Sequence, residues 1–187
     1  MTITYDCLDD ATIAAIPLRA VQESGLLFLW VINSKYRTAL NMIRDWGYRC
    51  VLWCCFTARL VGDITWVKIS SRGLLGHGNG HYLQHSKETC LVAMKGSNAC
   101  VDPSKLGMIN DIIFAKRKGQ SQKPNEIYTL IESLVPEGRV CDFRSRVGFY
   151  LEVFGRWNNL RNNWVTIGNE LYFCLFRQTL AHVATDI

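Results

Sequence analysis

The unbroken apolar run Gly25-Leu-Leu-Phe-Leu-Trp-Val-Ile32 is the tightest constraint on how this chain can fold. Such a run, with no polar alternation, fits a strand covered on both faces, as in a parallel sheet flanked by helices. The residues after it fit a strand-helix unit. Ser34 is placed to cap a helix, Ala39, Leu40, Ile43 and Trp46 recur at helical spacing, and Gly47 is placed to stop it.

The same pattern recurs downstream. Ile64-Thr-Trp-Val-Lys-Ile69 reads as the next strand, and Ser70 to His85 reads as a Gly-rich loop. Thr89–Met94, Asp111–Ala115 and Tyr150–Phe154 read as further strands. Pro124 suits the first turn of a helix whose Ile127, Leu130, Ile131 and Leu134 make one apolar face. Buried strands alternating with helices predict an α/β fold, a mostly parallel sheet with helices on both faces. At 187 residues, 49% hydrophobic and 20% charged, the chain has one domain's worth of core-forming sequence and is not disordered.

Bulk properties narrow the function classes. A net charge of +5 permits a nucleic-acid partner without requiring one. The apolar runs fall short of the ~18 residues of a membrane span, so no membrane role is expected. Met1 to Asp10 is polar and acidic, unlike a secretory signal. The eight cysteines are therefore expected to be mostly buried thiols in a reducing compartment. Cys50, Cys54 and Cys55 lack a second pair at zinc-site spacing, and no metal is expected. His77, His81 and His85 are four apart, but Gly76, Gly78 and Gly80 argue against the helix that would align them.

Four segments have the chemistry of a site. After the strand ending at Phe154 comes a run rich in Arg and Asn, from Arg156 to Glu170. Guanidinium and amide groups at the C-terminal end of a strand suit the hydroxyls and carboxylate of a small polar ligand, the other reading being a polar surface loop. Gly80 to Gly96 brings His85, Lys87 and Glu88 to a strand entrance, either at a pocket mouth or in an ordinary loop. Lys116 to Glu126 follows a strand and opens a helix, where Lys123 and the helix N-terminus would attract a carboxylate or phosphate. Tyr5, near Asp9 and Asp10, is placed either to stack on a base or simply to pack.

Read in order, these segments resemble the family of the catalytic subunit of the eukaryotic mRNA N6-adenosine methyltransferase, which includes related DNA adenine methyltransferases. The resemblance rests on Leu26-Leu-Phe-Leu-Trp-Val31, Trp46-Gly-Tyr48, Ile64-Thr-Trp-Val-Lys68, Gly80-His-Tyr-Leu-Gln-His-Ser-Lys-Glu-Thr-Cys-Leu-Val92, Lys95-Gly96, Lys123-Pro-Asn-Glu-Ile-Tyr128, Phe154-Gly-Arg156 and Asn163-Trp-Val-Thr-Ile-Gly-Asn169. It spans about residues 5–171 of a single expected domain, 1–187. The catalytic branch fits better than its non-catalytic partner branch, mainly through Gly80 to Val92.

The resemblance implies a Rossmann-like fold, incomplete at the N-terminus, that uses S-adenosylmethionine to methylate the 6-amino group of adenosine in RNA. DNA is the other candidate substrate. It also implies that Lys123 holds the cofactor's carboxylate and that Arg156, Asn158, Asn159, Asn169 and Glu170 bind its ribose and amino-acid portions. Tyr5 would gate the adenine and Glu88 would stand by the substrate entrance. A heterodimer with a paralogous methyltransferase-like subunit, through the Gly-rich loop region, is implied as well. The implied compartment is the nucleus, with the cytoplasm as the alternative.

The sequence also departs from the family. Asn158 replaces its usual His and Glu170 its usual Gln. The family's Asp-Pro-Pro-Trp motif does not occur, since Pro17, Pro103, Pro124 and Pro136 include no adjacent pair. Met1 aligns just beyond where that motif would end, and the first strand and part of the adenine-binding wall are expected to be missing. The chain is therefore expected to methylate poorly or not at all. A non-catalytic, RNA-supporting subunit is the alternative reading. Residues 51–59 and 140–149 look surplus, and the tail 172–187 lies beyond the resemblance. An imperfect gene model would account for all of these.

Overall fold

The strand that takes the central place is Lys87-Glu-Thr-Cys-Leu-Val-Ala-Met-Lys95, whose Cys90, Leu91, Val92 and Ala93 are all buried. In the computed structural model, residues 7–48, 60–78, 80, 82–96, 101–105, 107–119, 121–136, 150–156 and 160–168 are described. The chain divides into two compact units, residues 1–137 and residues 138–187.

Among its described residues the first unit holds four strands: β1 (Gly25–Val31), β2 (Leu60–Ile69), β3 (Lys87–Lys95) and β4 (Ile112–Lys116), ordered β1-β3-β2-β4. Its helices are α1 (Asp10–Ala14), α2 (Leu18–Val21), α3 (Tyr36–Asp45) and α4 (Glu126–Leu134). β3 runs antiparallel to both β1 and β2, and β2 pairs with β4 in parallel. The sheet is thus mixed, which corrects the expectation of a mostly parallel one.

The reason lies in the β2–β3 connection. Parallel neighbours need a crossover, whereas a chain that turns back on itself delivers an antiparallel partner. Residues 70–86 turn back: the Gly76 N–H donates to the Lys68 carbonyl at 2.6 Å, and Gly78 and His85 exchange backbone hydrogen bonds at 3.1 and 3.0 Å. The expectation that the run from Gly25 is covered on both faces is corrected too: β1 stands at the end of the strand order, Leu26 to Trp30 are only half-buried and Ile32 is exposed.

Directly paired residues share a face of a sheet, so register defines its two sides. One side carries Leu27, Leu29, Val31, Leu91 and Ala93. These residues form a core with Leu18 of α2 and Ala39, Met42, Ile43 and Trp46 from α3 and its end. The Trp46 indole donates to the Ala14 carbonyl at 2.9 Å and ties α3 to α1. Gly47 ends the helix at φ +84, a conformation that favours glycine. Ser34 is not a cap; it lies in a 3-10 turn, Asn33–Lys35, that leads into α3. α1 and α2 are short elements that apolar periodicity did not anticipate.

The opposite side carries Trp30, Ile64, Trp66, Lys68, Glu88 and Cys90, with Ile113 and Ala115 of β4 paired alongside. β4 alternates, its Ile113 and Ala115 buried and its Ile112 and Phe114 exposed. α4 begins after Asn125, so Pro124 stands just outside the helix, and its side chain is fully buried.

The second unit pairs β5 (Tyr150–Val153) with β6 (Trp164–Ile167) in parallel. The Tyr150 and Trp164 rings stack at 4.7 Å between centroids. β6 falls inside the Asn-rich run, where no strand was expected.

Candidate functional site

Alternation along β2 places Ile64, Trp66 and Lys68 on one face, and a lysine there points into a packed side of the sheet. Its side chain is only 8% exposed. The backbone around it is held from both directions: the Lys68 N–H donates to the Ser86 carbonyl at 2.8 Å and its carbonyl accepts from Gly76. The glycines of the connecting loop matter here. A Cβ at Gly76 would stand 3.2 Å from the Lys68 carbonyl oxygen, and one at Gly78 would stand 3.5 Å from Lys68 Nζ. Bulk at Gly76 would press on the Lys68 backbone, whereas at Gly78 the tight neighbour is the His85 carbonyl oxygen at 3.0 Å.

The partner of Lys68 is Glu88, at the start of β3 and paired with Trp66. Lys68 Nζ lies 2.9 Å from Glu88 Oε1, while Lys123 Nζ lies 2.6 Å from Glu88 Oε2. Two residues expected to act separately, Lys123 on a cofactor and Glu88 at a substrate entrance, are thus in direct contact. Each ammonium also faces an indole: Lys68 Nζ is 5.5 Å from the Trp66 ring and Lys123 Nζ 5.1 Å from that of Trp30. The two indoles meet edge to face at 6.2 Å. Trp66 is further fixed by donation from Nε1 to the Ala115 carbonyl at 3.0 Å.

Electrostatics follow from this arrangement. Burial pushes the Glu88 carboxyl up, but the charges and hydrogen bonds of Lys123 and Lys68 outweigh it and hold Glu88 below its ordinary range. Among the described residues, two ammonium groups share this one carboxylate, which leaves one positive charge in excess there. Cys90, on the same face, has its thiol pushed up to about 12 by burial; Lys123 opposes that rise and Asp63 adds to it. Cys90 is therefore a packed neutral thiol, not a nucleophile.

Lys68, Trp30 and Trp66 were not singled out from sequence as site residues. The available signal was the lysine two residues beyond Trp66 in a run alternating toward one face.

In the second unit, Arg156 lies just past the C-terminal end of β5 and is half-buried. Phe154 takes φ +65, and the Gly155 N–H donates to the Ile167 carbonyl at 3.0 Å. A Cβ at Gly168 would come 2.1 Å from the Gly155 carbonyl oxygen, so the two strand ends close together only with glycine there. Tyr5, Asn158, Asn159, Asn169 and Glu170 lie outside the described residues.

Comparison with known proteins places this geometry in context. The MT-A70 family model matches residues 1–170. The chain is 34% identical over 175 residues to the N(6)-adenosine-methyltransferase MT-A70-like protein of Drosophila melanogaster, covering 91% of this chain and 25% of that protein. It is 33% identical over 173 residues to the human N(6)-adenosine-methyltransferase catalytic subunit METTL3, covering 91% of this chain and 26% of that protein. Similarity to the Drosophila non-catalytic subunit METTL14 is lower, 28% over 157 residues, covering 79% of this chain and 34% of that protein. The chain spans about a quarter of the length of the first two relatives.

Proposed function

The chain belongs to the MT-A70 family, and on that premise we propose that it is part of the catalytic domain of an S-adenosylmethionine-dependent RNA adenosine-N6 methyltransferase. The fold of that domain would be Rossmann-like, as the family resemblance implies. The observation that carries the cofactor reading is the excess positive charge at Lys68, Glu88 and Lys123. A carboxylate-bearing ligand fits a site where two ammonium groups share one acid.

Lys123 would take the ligand's carboxylate. It is the more exposed of the two lysines, at 28% against 8%, and so the one able to reach it. Arg156, Asn158, Asn159, Asn169 and Glu170 would contact the ribose and amino-acid portions, and Tyr5 would close over the adenine. Bound S-adenosylmethionine supplies an electrophilic methyl group for the adenine 6-amino group. The chain's part is to orient that donor and exclude water from it. Partners in this reading are RNA and a paralogous subunit, and the compartment is the nucleus.

Calorimetry with S-adenosylmethionine tests the proposal. Weak binding is expected, abolished by Lys123→Ala; unchanged affinity in that variant would remove the carboxylate site.

The alternative reading, a non-catalytic supporting subunit that has no need of an Asp-Pro-Pro-Trp motif, is supported by the 28% identity to the Drosophila non-catalytic subunit METTL14. The two readings part in a methyl-transfer assay on adenosine-containing RNA. Supplying the chain together with a segment bearing that motif should restore transfer only if the first reading holds.

A further inference from the structure

Of the three charged groups on this face, Lys68 is the one held in place. Its side chain is almost wholly buried, its backbone is bonded to Ser86 and Gly76, and its ammonium sits beside Gly78. Lys123 is partly exposed and stands in a loop before α4. Each takes a different oxygen of Glu88.

We propose that Lys68 is a positioning residue, the fixed counter-ion of Glu88, which leaves Lys123 exchangeable between Glu88 and the carboxylate of an incoming ligand. When Lys123 turns toward that ligand, Glu88 keeps a partner and no half-buried acid is stranded. Without Lys68, Glu88 and Lys123 form a closed neutral pair. Separating that pair would leave a half-buried carboxylate without a counter-charge, an unfavourable state. The identity of the ligand as S-adenosylmethionine rests on the function proposed above; the division of labour between the two lysines does not.

The test uses the full chain and has two arms. The first reads the acetylation rate of the Lys123 amine with acetic anhydride by mass spectrometry, with exposed Lys116 as internal control. Lys68→Met should slow Lys123 labelling about five- to tenfold, because Glu88 then binds it alone. Lys68→Arg should leave the rate near wild type, and Lys68→Met with Glu88→Gln should raise it above wild type. If the Met variant fails to fold, Lys68→Gln removes the charge while keeping a donor and should slow labelling in the same direction. An unchanged or faster Lys123 rate in the folded charge-removing variant would overturn the proposal.

The second arm compares binding of S-adenosylmethionine with that of 5′-methylthioadenosine, which lacks the carboxylate. Lys68→Met should weaken the first about tenfold, the effect of losing ~1.4 kcal/mol, and leave the second unchanged. Equal weakening of both would show a merely structural lysine and overturn the proposal. If the wild-type chain binds neither compound, the methyl-donor reading fails, and the labelling arm still decides the role of Lys68.

Discussion

The two faces of the four-stranded sheet solve the problem of burial in opposite ways. On the helix-covered face, Leu91, Ala93, Val31 and Leu29 meet Ile43, Met42 and Trp46, and apolar contact does nearly all the holding. On the other, β3 and β2 present Glu88 and Lys68 next to Trp66 and Cys90, and every charge there has a partner or an aromatic ring. Neighbouring residues of one strand, Glu88 and Thr89, thus belong to different chemistries. A buried ion pair is a weak source of stability, because desolvation offsets much of the attraction. The apolar face should therefore carry the fold, and the charged face should be kept for what it binds.

The largest expected effect tests the apolar side. Leu91→Ala removes a side chain with no exposed surface from the middle of β3. It should lower unfolding free energy by about 2–5 kcal/mol in urea titration. A loss under ~1 kcal/mol would mean that this face is not the main support.

Next comes the charged side. Glu88→Gln strands two ammonium groups and should cost about 2 kcal/mol, less than the ~3–5 kcal/mol of a fully buried pair because Lys123 can turn to water. The same variant sharpens the comparison through pH. Glu88 is held below its ordinary 4.5 in the folded chain. Its contribution is therefore fully present above that value and is lost as pH falls through the lower folded value. Wild type and Glu88→Gln should converge in stability across that acid window, and a constant gap down to the lowest pH would contradict the assignment.

A smaller effect probes a polar contact at the edge of the apolar side. Tyr48 is buried there and its hydroxyl donates to the Gln22 side chain. Tyr48→Phe should cost about 1 kcal/mol. Burial also pushes the phenol up to about 12, so spectroscopic titration should show it un-ionised at pH values where exposed tyrosines ionise. The smallest effect is expected at Lys35, whose ion pair with Asp10 is about half exposed on both sides. Lys35→Ala should change stability by less than about 1 kcal/mol, which thermal melts in low and high salt would check.

Much of the first unit was legible in the chain. The runs at Gly25, Ile64, Thr89 and Asp111 became β1 to β4 with ends shifted by a few residues, because apolar periodicity is a local signal. Lys123 and Glu88 could be singled out in the sequence, each by its place beside a strand or helix. Their contact was not, since 35 positions separate them. Lys68 was read only as part of a strand, because a single lysine in an apolar run does not show which neighbour will neutralise it. β6 was hidden by the asparagines around it, and its pairing with β5 depends on a partner strand more than ten residues away.

By itself, the order of residues marked β1 to β5, α3 and α4, though not α1, α2 or β6, and its motifs marked the family. Only tertiary structure decided that the sheet is mixed, that Lys68 faces inward, and that one carboxylate serves two lysines. The physical reason is range. Backbone conformation and apolar burial act over a few residues and leave a periodic trace, whereas strand direction and charge pairing are set by which distant segments lie side by side.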